Sequence, residues 1–183
     1  MDKMDKLDSF KVLPEAEYEI AKMLYLTGKS LGCKTVYQAR ALKNQPKGYR
    51  IIFNNRDANK VLFWMQISDN ALYVKANLFH IDGYADKMAA CSEKIKNAIT
   101  TTKECFDCGL CPPRLPYHIN NVKYKPCCFH GHYFSQLNHE EWHTLRDLIV
   151  LEHNNQCEHE SLISPVFSER QVRLKPYHGF HKN

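Results

Sequence analysis

GYRIIFNNRDANKVLFWMQISDNALYVKANLFHI, residues 48–81, is the stretch whose reading decides the fold. It is rich in β-branched and aromatic residues that recur at every second position, and it is broken at Asn54-Asn55-Arg56-Asp57 and Ser68-Asp69-Asn70, both sequences of turn chemistry. Three antiparallel strands joined by hairpins follow. In the third, Leu72, Val74, Ala76 and Leu78 face one way and Tyr73, Lys75, Asn77 and Phe79 the other, so one sheet face is expected to be buried and the other partly wet. Phe63 and Trp64 are both assigned to the core, with ligand stacking the lesser alternative for the pair.

Outward from this sheet the period changes to that of a helix. Pro14 sits where a first helical residue would, Glu15, Glu17 and Glu19 suit the positive end of the helix dipole, and Ala16, Ile20, Met23, Leu24, Thr27 and Leu31 form a stripe that Gly32 can end. Beyond the strands, Asp82 can cap a second helix whose stripe is Tyr84, Met88, Cys91, Ile95, Ala98 and Ile99; Cys91 reads as a buried structural thiol. A third helix opens at Asn138, with Glu141 as its capping-box partner and Leu137 and Trp142 placed for a hydrophobic staple. Leu145, Leu148, Ile149 and Leu151 supply its apolar stripe, and Asn154-Asn155 marks its expected end. Residues 33–47, rich in Lys and Arg, read as a loop or short helix with a solvated face.

The expected architecture is α+β: an antiparallel sheet of three to five strands, extended by residues around 121–126, packed by about three helices near 14–31, 83–100 and 138–153. A Cys-rich zinc knuckle, residues 104–132, is inserted between the second and third helices. Residues 1–13 form a flexible lead-in, 14–155 a single domain, and 156–183 a polar, basic tail.

A chain of 183 residues suits one domain, and its 44% hydrophobic content is ordinary for a folded protein. No apolar run approaches the ~20 residues of a membrane span. The opening MDKMDKLDSF alternates charges where a signal peptide needs an apolar core, so a cytoplasmic location with no membrane partner is expected. There thiols stay reduced, and clustered cysteines read as metal ligands in preference to disulfides. The net charge of +5 permits anionic partners but falls short of a dedicated nucleic-acid binder.

The chemistry is concentrated in ECFDCGLCPPRLPYHINNVKYKPCCFHGH, residues 104–132. Cys105, Cys108 and Cys111 stand two residues apart, and Cys127-Cys128 return later. Two thiolates separated by two residues reach one tetrahedral ion from a tight turn, and a second pair closes the shell, as in structural zinc sites. The fourth ligand can be Cys127 or Cys128; a mixed shell of Cys105, Cys108, Cys127 and His130 repeats the same spacing. An iron–sulfur cluster is the weaker alternative, because Cys111 lacks the early fourth cysteine of the ferredoxin pattern. A redox dithiol is weaker still.

His139-Glu140-Glu141-Trp142-His143 matches H-E-x-x-H, the zinc-hydrolase pattern. Its first histidine falls in the opening helical turn and Glu141 is better used as a cap, so capped surface histidines are the plainer reading. The remaining histidines, His132 among them, read as surface or hydrogen-bonded groups, and the aromatic and basic residues of 170–182 as tail. The expected function is a non-enzymatic zinc-binding module that recognises a small molecule or protein, in the manner of a sensor or adaptor. The alternatives are a zinc-dependent hydrolase using His139, Glu140 and His143, and a nucleic-acid binder using the knuckle and basic tail.

Overall fold

The computed structural model describes residues 7–40, 48–56, 60–68, 70–102, 116–125 and 131–163. Five strands form one antiparallel sheet in the order β1(Lys34–Arg40), β2(Gly48–Asn55), β3(Lys60–Ser68), β4(Ala71–Ala76), then β7(His132–Ser135); β5(Tyr117–Ile119) and β6(Val122–Tyr124) make a separate hairpin. Four helices accompany them: α1(Glu15–Ser30), α2(Ala85–Ala89), α3(Glu93–Thr100) and α4(His139–Ile163). The α+β class and the antiparallel sheet therefore stand as expected, but the sheet is extended by β7 and not by residues around 121–126, which pair within the β5–β6 hairpin. Of the expected Cys-rich knuckle, residues 104–132, the description covers 116–125, 131 and 132; its candidate ligands fall outside the described residues. Among the described residues no helix is long and apolar enough to cross a membrane.

The alternation in β4 is that of the sequence reading: Leu72, Val74 and Ala76 are buried and their neighbours half-exposed. On the same face Ile51 and Phe53 of β2, Phe63 and Met65 of β3 and Phe134 of β7 are buried, and α1 and α4 contribute Leu24, Leu145, Leu148 and Ile149 to the same core. Phe53 stacks on Phe63 with centroids 4.3 Å apart, and Tyr25 of α1 meets Phe53 edge-on at 5.9 Å. These offset-stacked and edge-to-face arrangements suit aromatic quadrupoles. A bulge interrupts the β2–β3 ladder: Phe53 pairs with Phe63 and Asn54 with Val61, which leaves Leu62 unpaired in the register. Asn77 fastens it, its backbone N–H donating to the Leu62 carbonyl and its side-chain amide to that of Val61. The extra residue lets Leu62 and Phe63, adjacent in sequence, both be buried.

Five local expectations need correction. Residues 34–40 form an edge strand instead of a loop or short helix; its composition is polar because an edge is half-solvated and edge charges discourage further pairing. Trp64 is buried, but on the other side of the sheet from the core, since it shares the face of its cross-strand partners Ile52 and Lys75. The second helix is two: Ser92 interrupts the stripe and caps α3, its Oγ accepting from the Ile95 N–H. Asp82 caps neither; its carboxylate accepts from the His118 backbone N–H at 2.7 Å and contacts the His118 ring, fastening β5. Finally, α4 continues past Asn154-Asn155 to Ile163, so Gln156 belongs to a helix and is buried.

The start of α4 agrees with its sequence signature. Asn138 Oδ1 accepts from the Glu141 N–H and Glu141 Oε2 from the Asn138 N–H, both at 2.9 Å, while Leu137 and Trp142 are buried beside them. Glu141 also accepts from the Ser92 hydroxyl at 2.7 Å, so one carboxylate joins the caps of α3 and α4.

Candidate functional site

Three features of the fold carry chemistry. The first is the framework that holds the cysteine segments. Cys105, Cys108, Cys111, Cys127, Cys128 and His130 all lie outside the described residues, but the ends of the two segments that bear them are in place. The first segment leaves after Thr102 and returns at Pro116; the second leaves after Lys125 and returns at Gly131. Thr102 Oγ1 lies 2.7 Å from His132 Nδ1, and Tyr117 pairs with Tyr124 across the β5–β6 hairpin, their rings stacked at 5.9 Å. Both segments therefore span the same two anchor points.

His132 makes this anchor rigid. It is buried, its Nε2 faces the Leu78 carbonyl at 3.0 Å, and burial outweighs the carbonyl and carboxylate groups around it to push its pKa down to about 4. The neutral ring then carries its proton on Nε2, and Nδ1 accepts from the Thr102 hydroxyl. This is the hydrogen-bonded role the sequence reading assigns to it.

The second feature is the outer face of the sheet. Pairing aligns Val36, Ile52, Trp64, Lys75 and Tyr133 in one row across all five strands, and Gln38, Arg50, Gln66, Tyr73 and Ser135 in the next. The Arg50 guanidinium lies 3.9 Å from the Trp64 ring centroid and donates to Gln66 Oε1 at 2.7 Å. Lys75 Nζ lies 5.5 Å from the Tyr133 centroid, and Tyr133 meets Trp64 edge-on at 5.9 Å while 53% exposed. Cations lodged on aromatic faces beside a half-exposed tyrosine form a surface suited to planar, electron-rich groups.

The third feature is the first two turns of α4. His139 and His143 are brought together, Nε2 to Nε2 at 3.3 Å, and Arg146 Nη1 lies 3.2 Å from His143 Nδ1. Trp142 between them points inward and is buried. Among the described residues no group of three His, Cys, Asp or Glu side chains gathers to hold a metal ion, so this pair lacks a third described ligand. An open cleft of about 450 Å³ lies beside it, lined by Lys22, Met23 and Leu26 of α1 and by Arg146.

Sequence reasoning missed the polar hub of the interior. Glu152 of α4 is fully buried and accepts from the Phe79 and His80 backbone N–H groups, the His80 ring and the Tyr84 hydroxyl, all within 3.0 Å, and from Gln156 at 3.1 Å. Gln156 Oε1 in turn accepts from the buried Asn55 amide. Burial raises the Glu152 pKa, but the hydrogen bonds and charge of His80 and the Tyr84 hydroxyl outweigh it and hold the carboxyl below its ordinary value. The signal available was the spacing of Glu152 and Gln156, one helical turn apart on the apolar side of α4. With its acceptor sites occupied, this carboxylate organises structure and is not poised for catalysis.

Compared with protein-family models, with curated proteins and with solved structures, the chain matches none.

Proposed function

We propose that this chain is a non-enzymatic recognition module, stabilised by a structural zinc ion and binding a small molecule or protein on the outer face of its sheet. The observation that carries this reading is the common anchoring of the cysteine segments at Thr102–His132 and Tyr117–Tyr124. Two segments bearing five thiols between them and spanning one gap are the arrangement a single tetrahedral ion closes, and such a shell leaves no open position for substrate. The ion fastens the β5–β6 hairpin to the sheet edge at β7, where the connection has few apolar residues to hold it. Cys105, Cys108 and Cys111 supply three ligands, and Cys127, Cys128 or His130 the fourth.

Elemental analysis of the purified chain tests the metal: one zinc per chain, lost in Cys105→Ser and kept in His143→Ala, is expected. Retention of zinc and of the fold by a protein lacking Cys105, Cys108 and Cys111 together overturns it. The recognition surface is tested separately, by titrating nucleotides, aromatic carboxylates and acidic peptides against tryptophan fluorescence. A ligand whose affinity falls about ten-fold in Arg50→Ala, equivalent to about 1.4 kcal/mol, supports the outer face; binding indifferent to Arg50→Ala and Tyr133→Ala excludes it.

A further inference from the structure

The geometry of α4 points to a second metal site, independent of the cysteine segments. We propose that His139 and His143 form a two-histidine chelate for a divalent, zinc-class transition ion, and that Arg146 opposes its loading.

The pair sits one helical turn apart, where side chains of a helix are neighbours. Its Nε2 atoms are 3.3 Å apart. Two histidine nitrogens bound to one tetrahedral ion at about 2.0–2.1 Å are separated by about 3.3–3.4 Å, so the spacing of the pair matches a shared ion once His143 frees its Nε2 lone pair. The rings are on the outside of the helix, His139 exposed and His143 half-buried, so water can complete the shell. Glu140 and Glu141 in the same first turn offset the positive end of the helix dipole, which otherwise opposes a cation there.

Arg146 decides the proton arrangement when no ion is bound. Arginine only donates, so its Nη1–H, 3.2 Å from His143 Nδ1, makes that nitrogen an acceptor. A neutral His143 then carries its proton on Nε2 and donates it to His139 Nε2. Ligation by His143 Nε2 requires the opposite tautomer, with the proton on Nδ1, where it would face the Arg146 N–H. The ion and the Arg146–His143 hydrogen bond are mutually exclusive. Zinc-bound histidines ordinarily donate that second N–H to a carboxylate or carbonyl; here a guanidinium occupies the place. Asp147 Oδ1 accepts from Arg146 Nε and Nη2 in the same placement that sets Nη1 against the ring, so Asp147 holds the guanidinium where it opposes the ion.

The test uses the full-length, zinc-replete chain. Co²⁺ is titrated while the imidazole resonances of all histidines are followed by NMR, and Zn²⁺ affinity is measured by calorimetry. One equivalent of Co²⁺ is expected to shift or broaden the His139 and His143 signals together and saturably. His139→Ala and His143→Ala, both at solvent-facing positions and checked for folding by circular dichroism, each lose about 100-fold in affinity, because the second ligand no longer binds intramolecularly. Arg146→Gln, whose amide oxygen can accept the Nδ1–H, binds several-fold tighter. Unmoved His139 and His143 signals, or a His143→Ala protein that binds as tightly as the native chain, overturn the site; unchanged affinity in Arg146→Gln overturns the part assigned to Arg146.

Discussion

The Tyr84 hydroxyl donates to Glu152 Oε2 at 2.8 Å, and neither side chain has appreciable contact with solvent. This bond joins the 3-10 turn Ile81–Tyr84 to α4, and with the His80 contacts it ties the exit of β4 to the longest helix. Burial raises the Tyr84 pKa well above its ordinary value, and the Glu152 carboxylate raises it further, so the phenol stays protonated and remains a donor.

Glu152→Gln replaces two acceptor oxygens by one and sets an amide donor against donors. A loss on the order of 3 kcal/mol of folding stability is expected, measured by urea unfolding at pH 7. A carboxyl held below its unfolded-state value contributes stability that is fully present above about pH 4.3 and is lost as pH falls through the depressed folded value. Acid unfolding of Glu152→Gln should accordingly show a shallower dependence below pH 5 than the native chain; parallel curves would remove Glu152 from the acid transition.

Ser92 and Glu141 join two helix caps at 2.7 Å. Ser92→Ala and Glu141→Ala should each cost about 1 kcal/mol. The double variant should cost less than their sum by at least about 0.5 kcal/mol, because either single change already breaks the shared bond. Strict additivity in a double-mutant cycle would show that the two caps act independently.

Gly28 packs α1 directly on Phe53, where an added Cβ would run into the ring. Alanine ordinarily gains about 1 kcal/mol over glycine inside a helix. At this position the clash reverses the sign, and Gly28→Ala should destabilise by about 1–3 kcal/mol, read as a lowered midpoint of thermal unfolding. Gly28→Ala combined with Phe53→Leu should recover part of that loss.

Arg50 covers one face of Trp64, the tryptophan of the outer sheet face; Trp142, the other of the chain's two, is buried in the core. Arg50→Ala should raise quenching of tryptophan emission by neutral acrylamide and cost about 0.5–1 kcal/mol. No change in quenching would place the cover of Trp64 elsewhere.

The parts of the fold that could be read from the residues are those decided by local rules. The β4 alternation, the reciprocal Asn138–Glu141 box and the buried stripe Tyr84, Met88, Cys91, Ile95 and Ile99 depend on spacing along one segment, and spacing is visible in a sequence. Edge strand β1 was not legible because its two faces are both partly solvated, which leaves no clean period of two. Nor was the continuation of α4: Asn154 and Asn155 are poor helix formers, and what holds the helix there is Gln156 bonded to Asn55, a residue of β2.

Of the candidate sites, the histidine pair was legible as a motif and the cysteine segments as a candidate ligand set. The residues by themselves determined the α+β class, the hairpin-linked strands and the helix caps, because side-chain period and capping chemistry act over a few residues. Tertiary structure alone decided that Trp64 faces away from the core, that Glu152 is a buried hub, that the cysteine segments share their anchors, and that Arg146 stands against His143. Each of these depends on groups distant in sequence, or on a rotamer, and is set by which surfaces the packed helices leave open.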